Sequence, residues 1–479
     1  MSGVRKNFFY SSILTTANYI FPLITYPYVS RVLGVTNIGI CNFVDSIINY
    51  FILFSMMGIS IIGIREIANN RNDKIKLNET FNSLFLINSL STTLALIILI
   101  ICIYCIPKLY IYRNLMWIGA SKLFFNYLLI EWFYKGIEDF KYITIRTILV
   151  KLVYIISVFL LIRESSDYPI YYLLLCLMVV LNAILNITHA HKFVSFSINN
   201  ITVKNFIKPY FILGIYLLLT SMYTSFNVTY LGFISGETEV GYYTTATKLY
   251  AIILSIFSAF TGVLLPHMSS LVHSGKIIEF KQLLIKSINI LITFSIPVIL
   301  FTLVFTAEII EVISGKGYEG AIIPMKIIMP LIFIIGYEQI LVIQTLMPMK
   351  EDKTILKNSL IGASIGIILN VVLIPYIGCI GSAIVWLISE LSVLICSQYK
   401  VGQILKQEFP FTLILKNILI YTPLFIILYT IKTITKAPIG YELLLGIIIT
   451  LIYFIIINIK ITRNPEISRL ISIMLRKIK

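Results

Sequence analysis

The residues with chemistry to offer are ionisable side chains set inside long apolar runs: Asp45, Lys122, Glu131, Lys151, Lys248, Glu338 and Glu390, with Arg31 at the edge of the first run. A charge at mid-bilayer depth costs about 2.5–3.5 kcal/mol on insertion scales, so such a group normally faces protein or water and has a task. Arg31, Lys122, Lys151 and Lys248 suggest a cationic cavity that holds an anionic headgroup, although each lysine stem could also snorkel to the nearer surface. Asp45, Glu338 and Glu390 are candidates for coupling to H+ or Na+. Glu338 and Glu390 lie too deep to reach water alone, which fits either an ion carrier or an interhelical hydrogen bond in the protonated form.

Other constellations are weaker. Glu308 and Glu311 have the i, i+3 spacing of paired acids but fall at a helix end, where solvated carboxylates are ordinary. Cys102-x-x-Cys105 lacks the second pair or nearby His of a zinc or redox site, so all six cysteines read as buried free thiols. His189, His191, His267 and His273 have no metal-ligand spacing. Neither metal nor cofactor is expected.

The elements that carry these residues follow from composition. The 479 residues are 58% hydrophobic and 13% charged, with a mean hydropathy of +0.93. Soluble proteins have roughly 45–50% and 25%, so this excess must face lipid. The expected class is an all-α integral membrane protein without β-sheet, because the apolar runs are continuous rather than alternating. Runs of the ~20 residues needed to span a bilayer occupy 8–30, 38–63, 81–106, 115–134, 144–162, 168–190, 209–234, 243–266, 285–307, 322–347, 358–377, 379–399, 411–431 and 439–459, fourteen in all.

Charge orients them. The chain has 38 basic against 22 acidic residues. The basic residues are spread singly, not gathered into the patch that nucleic-acid binding requires. Counting Arg146, Lys286 and Lys416 at span ends with the connections they adjoin, alternate connections hold 27 of them and the opposite set 7, with 4 others inside spans. That asymmetry predicts an even number of spans with both termini cytoplasmic. The basic start and apolar first run read as a retained helix, since no small-residue cleavage site follows.

The sequence also echoes itself. Gly34, Thr36 and Gly39 match Gly236, Thr238 and Gly241 at an offset of 202 residues, and Phe43 falls near Tyr243. Asp45 and Lys248 occupy neighbouring repeat positions. Small residues in two outer turns could match by coincidence, but a parallel repeat is a transporter architecture. The expected organisation is a six-helix lobe (1–190), a cytoplasmic linker (191–208), a pseudo-symmetric six-helix lobe (209–407), and two further helices with a basic tail (408–479).

Residues 19–34, with Pro27, Arg31 and Gly34, followed by Gly39, Tyr50-Phe51, Gly58-Ile59 and Gly63-Ile64-Arg65-Glu66-Ile67-Ala68, resemble the opening of bacterial oligosaccharide flippases. These are the Wzx-type O-antigen and capsule-repeat transporters of the MATE-like multidrug/oligosaccharidyl-lipid/polysaccharide superfamily. Glu131-Trp132-Phe133-Tyr134-Lys135-Gly136 and Pro375-Tyr376-Ile377-Gly378-x-x-Gly381 are similar to later landmarks of that family. The resemblance implies two six-helix lobes plus two helices in the inner membrane. It implies export of undecaprenyl-diphosphate-linked oligosaccharide, in company with other polysaccharide assembly proteins. Arg31 would correspond to a family arginine near the start of the lobe interface, and Glu131 falls in the aromatic-acid motif. Lys122, Lys151 and Lys248 rest on the physical argument alone.

The implied mechanism is alternating access. A sugar headgroup crosses in a wet, positively lined cleft while its polyprenyl tail stays in lipid, because an unpaired hydroxyl costs roughly 4–8 kcal/mol to bury in hydrocarbon. A drug or cation exporter of the same superfamily would favour acids over lysines in the cavity. A membrane glycan polymerase or ligase needs a sizeable outer loop, and the longest here is 308–321.

Overall fold

A computed structural model describes residues 2–197, 201–435 and 437–461. Lys436, Asn199, Asn200 and the tail cations Arg463, Arg469, Arg476, Lys477 and Lys479 lie outside the described residues. All regular structure among the described residues is helical. The chain forms two compact units, residues 1–244 and 245–479.

The first unit holds α1 (Ser2–Met56), α2 (Ile59–Asn70), α3 (Lys74–Cys105), α4 (Pro107–Ile111), α5 (Arg113–Asn126), α6 (Glu131–Gly136), α7 (Phe140–Leu161), α8 (Tyr168–Ala190), α9 (Lys204–Thr224), α10 (Phe226–Ile234) and the opening of α11 (Glu237–His273). The second holds the rest of α11, then α12 (Ile277–Val304), α13 (Thr306–Ser314), α14 (Ile322–Ile328), α15 (Leu331–Leu341), α16 (Asp352–Leu405), α17 (Phe411–Ile434) and α18 (Ile439–Ile456).

Ten helical stretches among the described residues are long and apolar enough to cross a membrane. The fourteen expected spans and these ten stretches differ partly because some runs fuse and others break. The first two merge into α1, which kinks where Gly34 adopts φ 75°. Two others merge into α16, kinked at Ile377 and Gly378. The 115–134 run breaks at Ile130, whose φ of 38° ends one helix and redirects α6. Helix starts follow capping chemistry: the Asp73 carboxylate accepts from the Ile75 and Lys76 amides, satisfying donors that a first turn leaves open.

The core of the first unit is aromatic. Phe81, Trp132, Phe133 and Tyr134 are buried together with Ile62 and Ile67 of α2, so the Glu131–Gly136 motif serves as a packing wedge. Leu94, Ile97 and Ile101 of α3 and Leu419, Ile426 and Leu451 of α17 and α18 are exposed, as lipid-facing positions should be. The cysteines are free, but not uniformly buried as expected. Cys41, Cys176 and Cys379 are buried, Cys102 and Cys396 half-buried, and Cys105 is exposed at the end of α3.

Within the first unit the repeated segments meet each other. The Thr36 and Thr238 hydroxyls are 2.9 Å apart, and Asn42 Nδ2 donates to Thr244 Oγ1 at 3.0 Å. Both pairs are separated by 202 residues, the offset of the sequence echo. Gly39 and Gly241 make the contact close. A Cβ on Gly39 would sit 1.7 Å from the Glu237 carbonyl oxygen, and one on Gly241 2.3 Å from that of Val35. Those two approaches interchange under the same offset, as in a self-complementary two-fold interface. Lys108 of α4 ties the seam down through an ion pair with Glu237 (3.3 Å) and a bond to the Gly232 carbonyl.

Gly39→Ala should therefore force backbone apart and cost about 1–3 kcal/mol. Thermal unfolding of the purified protein is expected to show a lower midpoint, with Gly440→Ala, which has open space around it, unchanged.

Candidate functional site

One face of α1 is polar at helical spacing. Asn42, Asp45, Ser46, Asn49 and Leu53 recur at three- and four-residue steps, which places them on a common stripe. That stripe and Tyr50 form one side of a half-open cavity of about 370 Å³; Ser221, Ser225 and Val228 line it from α9–α10, and Thr244 from α11. All ten residues belong to the first unit.

A charge network anchors the wall. Lys122 Nζ of α5 lies 2.6 Å from Asp45 Oδ1 and donates to Asn49 Oδ1 at 2.9 Å. Asn49 Nδ2 donates to Asp45 Oδ2 at 2.9 Å, and the Tyr172 hydroxyl of α8 reaches Asp45 Oδ1 at 3.4 Å. Tyr50 is fixed by its hydroxyl, which donates to the Ser221 carbonyl at 2.9 Å, and by an edge-on contact with Phe226. The Lys122 and Asp45 side chains are only 15% and 27% exposed, so each needs the other. An uncompensated charge there would bear much of its desolvation cost.

The remaining sequence candidates are distributed unequally. Lys151 of α7 donates to Asn18 Oδ1 at 2.5 Å and sits 5.5 Å from the Phe21 ring centre. It forms no ion pair among the described residues. Arg31 is exposed and donates to the Pro27 carbonyl of its own helix at 2.7 Å. Glu131 pairs with Lys135 at 3.2 Å and with Arg146 of α7 at 3.5 Å. Arg146 is buried and also bonds the Asn182 carbonyl. Gly34 and Gly236 both take positive φ and flank the seam. Asp45 and Lys122, given separate roles in the sequence reading, are thus joined into one pair.

In the second unit Lys248 is half-buried on α11. Glu338 of α15 and Glu390 of α16 neighbour one another, and Trp386 Nε1 donates to Glu390 Oε1 at 3.0 Å. Glu308 is occupied by Lys432 at 2.7 Å. No group of three metal-ligating side chains occurs among the described residues.

Sequence reasoning found Asp45 and Lys122, but the cavity lining of Asn42, Ser46, Ser221, Ser225 and Thr244 emerged only in the structure. The α1 members were readable from their spacing around Asp45. Ser221 and Ser225 had no such signal, because only the tertiary packing of α9 and α10 brings them to the cavity.

Lys122→Met should strand the Asp45 carboxylate and destabilise the protein by about 2 kcal/mol, below the 3–5 kcal/mol of a fully buried pair. The double variant Lys122→Met/Asp45→Asn is expected to recover most of that loss in thermal unfolding. Additive losses would mean that the two residues do not act as a pair.

Comparison with known proteins extends this picture. Two curated relatives carry the name "Putative O-antigen transporter". The one from Escherichia coli K12 is 25% identical over 391 residues, 81% of this chain and 94% of the relative. That from Shigella dysenteriae is 23% identical over 404 residues, 82% and 98% of the two chains. A solved structure of the lipid II flippase MurJ in an inward closed conformation matches with a TM-score of 0.75 at 18% identity, covering 93% of this chain and 98% of that one. An inward-facing multidrug resistance MATE family transporter of the MOP superfamily matches at 0.60 and 13% identity, over 81% and 96%. The fold is thus of the MurJ and MATE type. Residues 4–272 match the model of the family described as polysaccharide biosynthesis protein, and the chain belongs to that family.

Proposed function

We propose that this multi-pass membrane protein is a flippase. It moves undecaprenyl-diphosphate-linked oligosaccharide repeat units from the cytoplasmic to the outer leaflet of the inner membrane by alternating access. The observation that carries the reading is the cavity of the first unit. It is rich in amides and hydroxyls, and it lies in a chain whose helices are otherwise apolar enough for lipid. Hydroxyl-bearing cargo needs such a lining, because each sugar hydroxyl must exchange water for another partner. The names of the curated relatives and the shared MurJ fold support the same class of substrate.

For the diphosphate, Lys151 is the best-suited of the four proposed cations. It is half-buried, bonded to an amide oxygen beside an aromatic ring, and within electrostatic range of Glu131, a carboxylate already shared with Lys135 and Arg146. Its charge is thus only partly matched and open to phosphate. Arg31 and Lys248 are further headgroup candidates. Lys122 contributes by holding Asp45. The lobe organisation, 1–190 and 209–407 joined by a linker, belongs to the same proposal, as do cytoplasmic termini, which the 27-to-7 charge asymmetry supports.

Coupling to an H+ or Na+ gradient would engage the neighbouring acids Glu338 and Glu390 before Asp45, whose charge is already matched by Lys122. The drug or cation exporter reading is less well supported for the same reason: a carboxylate 2.6 Å from an ammonium is a poor trap for a second cation.

A host strain deleted for this chain should accumulate lipid-linked repeats on the cytoplasmic leaflet, and the plasmid-borne chain should clear them. Lys151→Glu should fail to clear them although it reaches the membrane in normal amount. Repeats appearing outside at the same rate with or without the chain would end the proposal. Glu338→Gln should leave voltage-driven flipping in place but remove any acceleration by a proton gradient, measured in vesicles at fixed voltage.

A further inference from the structure

The cavity's chemistry separates two parts of the cargo. We propose that it is a subsite for a neutral sugar ring, distinct from the place where the diphosphate is held. This rests on the flippase reading and narrows it.

The argument is an account of donors and acceptors. An ionised carboxylate offers about four acceptor sites, and three of those of Asp45 are taken by Lys122, Tyr172 and Asn49. One remains on Oδ2. The Asn49 amide has two hydrogens, one of which is used on Asp45. A free acceptor and a free donor therefore stand side by side on the cavity wall. A sugar hydroxyl donates and accepts at once, so it matches that pair, as does a vicinal diol spanning it. Across the cavity the Ser225 hydroxyl has only a long, 3.4 Å contact with Thr224, which leaves it open to a ligand as well. Tyr50, Leu53 and Val228 supply apolar surface for the C–H faces of a ring.

Charge excludes the alternatives. A phosphate at this wall would meet the Asp45 carboxylate, while the Lys122 ammonium is held by Asp45 and Asn49. A cation would find that carboxylate already matched. A neutral polyhydroxyl ligand suffers neither conflict. The volume, about 370 Å³, is at the small end for ligand cavities, roughly 300–1,000 Å³, and so suits a short stretch of sugar rather than a whole repeat unit.

The test uses the full-length protein in nanodiscs and two probes: undecaprenyl diphosphate, and the lipid-linked oligosaccharide extracted from a host strain lacking this chain. The wild type should bind the sugar-bearing lipid about tenfold more tightly, the margin expected of one or two well-made hydrogen bonds. Asn49→Leu should erase most of that margin and Ser225→Ala a few-fold of it, with affinity for undecaprenyl diphosphate unchanged in both. The unchanged affinity also reports that each variant is folded. Equal loss for both probes, or no loss for either, would overturn the subsite. A wild type that binds both lipids equally would also overturn it while leaving the flippase reading intact. Failure to bind either lipid would overturn both.

Discussion

The close backbone approach at Gly39 and Gly241 is the constraint on which the functional half of the first unit depends. No side chain can stand between the two segments there, since any Cβ would enter a carbonyl oxygen. The opening of α11 is consequently held against α1, with α10 immediately before it in sequence. That contact sets Thr244 beside Asn42 and fixes one corner of the cavity. In lipid, helices gain little from apolar contact alone, so close packing of small residues and hydrogen bonds between helices must hold them together. The seam uses both, glycines for proximity and the Thr36–Thr238 and Asn42–Thr244 pairs for specificity. A duplicated segment is well suited to this, because a surface that packs on its own copy needs to be optimised only once.

The same solvent logic governs the charges. Hydrocarbon tolerates an ionised group only with a partner, and the deep charges of the first unit mostly have one. Asp45 has Lys122, and the buried Arg146 has Glu131. Glu338 and Glu390 of the second unit neighbour one another, and Glu390 also accepts from the Trp386 indole. The consequence for transport is that most ionisable residues in the spans are neutralised by construction. Lys151, bonded to Asn18 beside the Phe21 ring, has no ion pair of its own among the described residues and only shares the field of Glu131, which is why the proposal gives it the anionic group.

How much of this the sequence revealed follows from the range of the interactions. Helical class and lipid exposure are composition effects and were fully legible. The echo at 202 residues was legible as a pattern, and its meaning as a physical contact came from the Thr36–Thr238 and Asn42–Thr244 pairs. Fourteen runs were legible, but not where they fuse or break. Gly34 and Gly378 kink helices rather than ending them, and Ile130 breaks one by taking a left-handed conformation that its β-branched side chain disfavours. Ionisable residues stood out one at a time, but partners did not. Asp45 and Lys122 are 77 residues apart, and nothing in either neighbourhood announces the other. Hydroxyls such as Ser225 were invisible because serine is ordinary in a membrane helix, where it can bond to its own backbone.

Separating a neutral sugar subsite from the cationic place for phosphate has an energetic rationale. Two negative charges leaving a negative interior gain about 4–5 kcal/mol at 100 mV, from ~2.3 kcal/mol per charge. Every protein cation that travels with them subtracts from that gain. A cavity that gripped the whole headgroup with lysines would bind it firmly and surrender the voltage, and firm binding would also slow release. Hydroxyls and amides around a charge-balanced Asp45–Lys122 pair replace the water that sugars lose without adding net charge. In the proposed arrangement hydrogen bonding would make the sugar's passage tolerable, and the field acting on the diphosphate would set its direction. On the proposed reading, one cation such as Lys151 would be enough to select the phosphate and few enough to leave most of the electrical drive in place.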